Sequence, residues 1–372
     1  MPSSLKDKKV AIVCDWLTSI GGAERVVLAL HELFPDAPIY TSQYDPNQID
    51  WFKNADIKTT WLQGLPKQST VRKLLPVLRR QAFQNIDLSG YDIVISSSGA
   101  EAKAVKKLKK GALHITYCHS PTHYYWARYD EYLKEPGFGM LNPLARNGLR
   151  ILGGPMRKWD YKVAQHPDIL IANSTHIQNK IKEYYNRESV VIFPPVDIER
   201  FAQKSQPKRS GLVISGRQVP YKRFDLAIQA AIKLNLPLTV NGSGPMHEKL
   251  VTLAHGHKNI TFTSGLSDKE MPKLIAGAEL FIFPGVEDFG IAPVEALAAG
   301  TPVIAFGEGG SLDYINDITG ILFDTQSVDA LAEAITVGLA AKWDHAKIAK
   351  SALAFDKYHF EKEILKLLKE YL

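Results

Sequence analysis

What most limits the folds open to this chain is an alternation that runs through it twice. Short continuous apolar runs are separated by segments with helical periodicity, and several runs empty into glycine-rich or basic loops. The first run is Lys9-Val-Ala-Ile-Val-Cys14, which ends at Asp15; Gly21-Gly22 follows, and residues 23–34 then carry a helical period. Strand, glycine loop, helix is how a parallel α/β unit opens, because parallel strands covered on both faces are apolar throughout and are joined by helical crossovers. Further runs at 91–96, 114–118, 169–172 and 190–193 predict the rest of that sheet, the third of these emptying into a polar loop at Asn173-Ser174. After Pro207 the pattern restarts with a strand at 211–215, a basic loop at 216–223 and an amphipathic helix at 224–234. Strands at 238–240, 260–263, 280–283 and 302–306 follow, with helices at 271–276 and 292–299, the last stopped by Gly300.

The expected fold is therefore α/β, with two Rossmann-like, doubly wound parallel-sheet domains facing across a cleft. The first takes residues 1–197 and the second 205–355, joined through the extended segment Phe193-Pro-Pro-Val-Asp197. A closing helix at about 358–372 carries Phe360, Ile364, Leu367 and Tyr371 on one stripe and is a candidate to pack back on the first domain. At 372 residues the chain exceeds what one core usually serves, which agrees with two domains.

Composition excludes several classes. Two cysteines, Cys14 and Cys118, are too few for a disulfide framework and lack zinc-site spacing, so buried free thiols are expected. The run at 10–13 is too short for a signal-peptide core, and no apolar stretch approaches the length of about 18 residues that would suggest a membrane span. A cytoplasmic enzyme is expected, with a place at the inner face of the cell membrane open to it. Net charge is +6, unevenly placed: 27 basic against 20 acidic residues through Arg200, and 18 against 19 beyond. A basic first half suits an anionic surface or substrate, though solvated lysines would give the same count.

Chemistry concentrates in Phe283-Pro-Gly-Val-Glu287-Asp-Phe289-Gly290-Ile291-Ala-Pro-Val-Glu295. A strand ends, a loop carries Glu287, and a helix begins near Ile291, where the free amides of Gly290 and Ile291 favour an anion. One carboxylate could hold a ribose and the other a hexose, with a diphosphate between them. Two glutamates alone are more often solvated acids beside a helix start. The balance shifts with Ser215-Gly-Arg217-Gln-Val-Pro-Tyr-Lys222-Arg223, because Arg217 and Lys222 leave the carboxyl edge of the same sheet and can neutralise a departing diphosphate.

These residues resemble the GT-B glycosyltransferases, specifically the retaining family 4. Its Glu-x7-Glu motif is matched by Glu287 and Glu295, its Arg…Lys pair by Arg217 and Lys222, its Gly-Gly loop by Gly21-Gly22, and its strand-end histidine by His119 in Tyr117-Cys-His-Ser-Pro121. The likeness runs from about Val10 to the C-terminus and is strongest to bacterial mannosyltransferases of polysaccharide synthesis, through Gly21-Gly-Ala-Glu-Arg25, Phe193-Pro-Pro-Val-Asp197 and Glu287-Asp-Phe-Gly-Ile.

The resemblance implies a nucleotide-sugar donor, GDP-mannose ahead of a UDP-sugar, and a glycan or lipid-linked acceptor. Arg217 and Lys222 would hold the diphosphate, Glu295 the ribose and Glu287 the hexose hydroxyls. Backbone groups of Gly21, Gly22, Phe289, Gly290 and Ile291 would complete the clamp, the loop at Leu266 would meet the base, and His119 would lie beside the sugar. Transfer would proceed with retention, the leaving phosphate taking the acceptor's proton. No cofactor, no metal and no nucleic acid are expected, and the sequence holds no Asp-x-Asp. His123 and Ala127 stand where related mannosyltransferases tend to show arginine and aspartate, which bears on the acceptor.

Rival readings are weaker. A glycosidase carboxylate pair would leave the basic pair unexplained. A dinucleotide enzyme would need Gly-x-Gly-x-x-Gly after its first strand, which neither Gly21-Gly22 nor Gly242-Ser-Gly244 completes. A nucleotide-sugar epimerase of the same fold and a non-catalytic sugar-binding protein stay open. Two stretches, 67–80 with five basic residues among leucines and 138–159 with Arg146, Arg150, Arg157 and Lys158, suggest peripheral docking on an anionic membrane.

Overall fold

The computed structural model describes residues 5, 7–65, 76–134, 136, 139, 142–202 and 208–372. The chain divides into two compact units, Met1–Pro194 with Phe360–Leu372, and Pro195–His359. Residues 195–197 thus go with the second unit, where Val196 pairs with Asp356.

In the first unit the strands are β1 (Val10–Cys14), β2 (Ile39–Thr41), β3 (Ile57–Thr59), β4 (Ile93–Ser98), β5 (Leu113–Cys118), β6 (Ile169–Ala172) and β7 (Val190–Val191). They lie in the order β3-β2-β1-β4-β5-β6-β7, and all neighbours are parallel. The order reverses between β1 and β4, so the loops leaving those two strands diverge around a crevice, the place where ligands bind in open α/β sheets. Among the described residues, five helices accompany the sheet: α1 (Gly22–Leu33), α2 (Pro76–Asn85), α3 (Tyr129–Lys134), α4 (Asn142–Val163) and α5 (Thr175–Tyr185). The polar loop after β6 is short, a two-residue bend at Asn173-Ser174 that runs straight into α5. Ser174 caps α5, its Oγ accepting from the Ile177 amide at 3.1 Å.

In the second unit β8 (Leu212–Ser215), β9 (Leu238–Asn241), β10 (Ile260–Thr263), β11 (Leu280–Phe283), β12 (Val303–Phe306) and β13 (Gly320–Phe323) lie parallel in the order β10-β9-β8-β11-β12-β13. Here the switch falls between β8 and β11. Its helices are α6 (Phe224–Leu234), α7 (His247–Leu253), α8 (Glu270–Ala276), α9 (Ile291–Ala298), α10 (Val328–Ala340) and α11 (His345–Ser351). Helix α6 shows why these segments fold as they do: Phe224, Leu226, Ala227, Ile228, Ala230 and Ala231 are buried against the sheet, and Asn235 ends the helix in the left-handed conformation.

The last helix, α12 (Lys357–Tyr371), sends Phe360, Ile364, Leu367 and Leu368 into the core of the first unit, with Ile12, Leu30, Ile95 and Ile171. Tyr371 is not among them. It closes the helix and is 55% exposed, while Leu368, one turn earlier, takes the fourth core position.

Two readings of the basic stretches need correcting. Within 67–80, residues 67–75 lie outside the described residues. Arg79 is not a surface cation: its guanidinium grips Glu101 through Nε at 2.8 Å and Nη2 at 3.0 Å and is 4% exposed. Arg80 lies over the Trp159 ring at 5.0 Å. In the 138–159 stretch, residues 138, 140 and 141 lie outside the described residues and 142–159 belong to one long helix, α4, in which Gly153 lets the Tyr129 ring approach; a β-carbon there would meet the ring at 2.8 Å. Among the described residues, no helix is long and apolar enough to cross a membrane.

Candidate active site

At the switch point of the second sheet, the loops after β8 and β11 bring two opposite charges together. Lys222 Nζ lies 2.7 Å from Glu287 Oε1, both side chains being less than one-fifth exposed. Such closeness needs a small residue between the loops. Gly285 supplies it, since a β-carbon at that position would sit 2.6 Å from Lys222 Cα and from the Tyr221 carbonyl oxygen. Glu287 is also held from behind, its carbonyl accepting from the Gly310 amide at 2.9 Å. Arg217 leaves the same edge of the sheet with an exposed side chain. Arg223, by contrast, is turned away and paired with Asp225 at 3.0 Å.

The start of α9 forms the next part. Gly290 precedes the helix at φ +89, and no side chain caps the first turn. A side chain at Gly290 would collide with the Tyr314 hydroxyl at 2.6 Å and the Phe283 ring at 2.9 Å. The amides at this helix start thus keep their capacity for an anion. Glu295, half-buried, follows on the same helix. Phe289 faces the other way: its ring packs on Tyr314 and Phe355 and is 3% exposed, so it offers the site only backbone.

Beside Arg217 is a groove of ≈ 430 Å³ lined by Gly216, Asn241, Gly244 and Met271. Buried Gln218 fixes its walls, donating to the Gly242 carbonyl at 2.9 Å and meeting His247 Nδ1 at 2.8 Å. Leu266 is half-buried on the loop after β10. That loop is tied to α8 by reciprocal bonds between Ser267 and Glu270, the Ser267 amide donating to the carboxylate at 2.9 Å and Ser267 Oγ accepting from the Glu270 amide at 3.3 Å.

In the first unit, Gly21 in extended conformation precedes α1, and the Glu24 carboxylate lies against it. His119 stands just past β5, half-buried, with Nε2 2.7 Å from Ser97 Oγ and its carbonyl accepting from Asn173 Nδ2 at 2.9 Å. Beneath this edge is a set of buried charges that the sequence did not reveal. Asp160 on α4 takes Lys103 Nζ at 2.8 Å, Thr122 Oγ1 at 3.0 Å, Trp126 Nε1 at 2.7 Å and the Tyr185 hydroxyl at 2.6 Å. Burial alone would depress the Lys103 ammonium, but the charge and hydrogen bond of Asp160, together with Cys118 and Asp15, hold the pKa above its ordinary value. Asp15, at the end of β1, is pushed up to about 6 by burial and then by Glu101, against the pull of backbone amides. In sequence these charges sit among lysines that read as solvent-facing, such as Glu101-Ala-Lys-Ala-Val-Lys-Lys107. The only available signal was the Asp15 that interrupts an apolar run.

Residues 20–200 match the Glycosyltransferase Family 4 domain and residues 195–353 the domain of glycosyl transferases group 1. A GDP-mannose-dependent alpha-(1-6)-phosphatidylinositol monomannoside mannosyltransferase of Mycobacterium tuberculosis is 31% identical over 54% of this chain and 57% of its own length. The chain therefore aligns with little more than half of that relative. An alpha-1,3/1,6-mannosyltransferase of Mus musculus is 25% identical over 92% of this chain and 93% of its own. Among solved structures, Anabaena HepE in complex with UDP and glucose aligns with a TM-score of 0.69 at 18% identity, covering 97% of this chain and 99% of that one. At that identity the likeness speaks for the fold. With one family domain on each unit, the chain belongs to the GT-B glycosyltransferases of family 4.

Proposed function

We propose that this chain transfers mannose from GDP-mannose, with retention, to a lipid-linked or glycan acceptor. The Lys222–Glu287 pair at the switch point of the second unit carries the proposal. It sets a cation for the diphosphate beside a carboxylate for sugar hydroxyls, next to a helix start that favours an anion. Arg217 adds a second cation, and Glu295 serves the ribose. Because these groups supply the positive charge, the leaving phosphate can accept the acceptor's proton with neither a metal ion nor a dedicated protein base. From the first unit, His119 serves the transferred sugar. GDP-mannose is favoured over a UDP-sugar because relatives are named for it, one of which acts on a phosphatidylinositol mannoside.

A panel of nucleotide sugars scored by thermal stabilisation tests the donor, since a ligand that binds only the folded state raises its melting point. GDP-mannose should give the largest shift, and GDP should bind more tightly than UDP in calorimetry. The reverse order would overturn the donor assignment. Formation of mannolipid from labelled GDP-mannose and lipid extract separates a transferase from an epimerase or a sugar-binding protein. Activity should persist in excess EDTA. Complete loss restored by manganese would overturn the metal-free reading.

The acceptor side is proposed to work at an anionic membrane, through the solvent face of α4. Leu144 and Ile151 are 71% and 72% exposed there, with Leu152 beside them and Arg150 and Lys158 also exposed. On this reading the enzyme works at the inner face of the cell membrane.

A further inference from the structure

Asp15 sits where the first sheet reverses its strand order, at the carboxyl end of β1. Its carboxylate does not point to solvent. Oδ2 accepts from the amides of Gly99 at 2.7 Å and Ala100 at 3.0 Å, and Oδ1 from the amide of Ala102 at 2.7 Å. All three amides belong to the loop leaving β4, so one side chain ties together the two loops that flank the crevice. The same loop borders His119. A β-carbon at Gly99 would lie 3.7 Å from His119 Cβ, and Ser97, two residues earlier, meets His119 Nε2 at 2.7 Å.

The rest of the loop is fixed independently. Glu101 is held by Arg79 and by the Tyr124 hydroxyl at 2.6 Å, and Lys103 by Asp160. Asp15 holds the amides of Gly99, Ala100 and Ala102, the stretch between the end of β4 and these anchored side chains. The ionised groups facing Asp15 are Glu101 and Lys103 from that loop, with Cys14 adjacent on β1 and Glu24 on α1 close enough to act on Cys14. On the β2 side Ser42 Oγ donates to the Asp15 carbonyl.

We propose that Asp15 is a positioning residue: its ionised carboxylate clamps residues 99–102 and thereby sets the Ser97–His119 hydrogen bond. Because burial raises the folded pKa from 3.8 to about 6, this group favours folding most below the unfolded value. That contribution is lost as pH rises toward 6. At neutral pH the ionised form carries the cost of burial, which the amide hydrogen bonds it accepts partly offset.

The proposal rests on His119 serving the transferred sugar, and the experiment separates the two. Asp15→Asn keeps the shape but turns an amide group toward backbone donors. Turnover should fall at least about tenfold, with GDP affinity unchanged because the diphosphate groups lie in the other unit. The parent's kcat should fall on the acid side with a midpoint near 6, and Asp15→Asn should lack that limb. If the variant does not fold, the parent itself decides: in NMR the Gly99, Ala100 and Ala102 amide protons should titrate together with that same midpoint. Parental kcat and pH profile in Asp15→Asn, or three amides with no common titration, overturn the proposal. His119→Ala completes the design. Loss of turnover there with none in Asp15→Asn overturns the positioning role, and retained turnover in His119→Ala overturns the role of His119 on which it rests.

Discussion

Glu287 and Lys222 each neutralise the other at 2.7 Å, and that gives the two residues different expected phenotypes. On the proposed donor site, a diphosphate would compete with Glu287 for the Lys222 ammonium. Glu287→Gln should therefore lower turnover at least about tenfold, by weakening the hold on the sugar, yet bind GDP more tightly than the parent. Lys222→Ala should lose both turnover and GDP affinity. Steady-state rates with calorimetry on GDP check both, and activity within about twofold of the parent in both variants would remove these residues from the site. Gly285→Ala tests the contact between loops without touching a charge, because its β-carbon would meet the backbone of Lys222 at 2.6 Å, where no rotamer change relieves it. It too should cut turnover by about tenfold or more. At this scale the sequence disclosed the charged groups, since a cation pair and a carboxylate on strand-end loops, with a second carboxylate on the following helix, have a chemistry readable from residue type. The close approaches at Gly285 and Gly310 were not legible, because they depend on which loops the sheet order makes neighbours.

Among elements, the helix Phe224–Leu234 and the strands Ile260–Thr263 and Leu280–Phe283 were readable to their end residues because each carries a clear pattern: an amphipathic helical period, an alternation of apolar and polar residues, and a continuous apolar run. Strands β2 and β3, three residues each, escaped notice: Ile57-Lys58-Thr59 forms an edge strand with two exposed residues, which leaves little periodicity to read. Helix α4 was hidden by Gly148, Gly153, Gly154 and Pro155, residues that argue against a helix unless tertiary contacts support it. Much of that support comes from Asp160, whose four partners join α4 to the loops leaving β4 and β5 and to α5. Asp160→Leu should cost roughly 3 to 5 kcal/mol in urea denaturation, because it leaves the Lys103 ammonium buried and uncompensated. Adding Lys103→Met should recover a large part of that loss. A double variant as unstable as the single one would show that the pair's charges are not what matters. Ser174→Ala, removing the cap of α5, should cost only about 1 kcal/mol in the same assay.

For the molecule as a whole, charge is the property that sequence makes easiest to count and hardest to place. The excess of 27 basic over 20 acidic residues through Arg200 suggested an anionic surface, but the structure withdraws part of that excess from solvent. Arg79 and Lys103 are buried against Glu101 and Asp160, and because each pair is neutral, the remaining exposed charge is what matters for binding. On α4 it occurs beside apolar residues that a folded protein rarely leaves uncovered: Leu144, Ile151 and Leu152 lie at helical spacings of seven and eight, with Lys158 on the same side. An interfacial helix combines these two features, apolar insertion with nearby cations, and each cation near an anionic leaflet contributes about 1 kcal/mol. Two or three such charges give attachment that is reversible and weakens with salt. The parent should therefore pellet with anionic liposomes far more than with neutral ones, and less as salt is raised. A variant with Leu144, Ile151 and Lys158 all changed to glutamate should stay in the supernatant while still binding GDP like the parent, because the proposed donor groups Arg217, Lys222, Glu287 and Glu295 lie in the other unit. Equal pelleting of parent and variant, or of the parent with both liposome types, would take the membrane out of the mechanism and leave a soluble glycan as the acceptor to pursue.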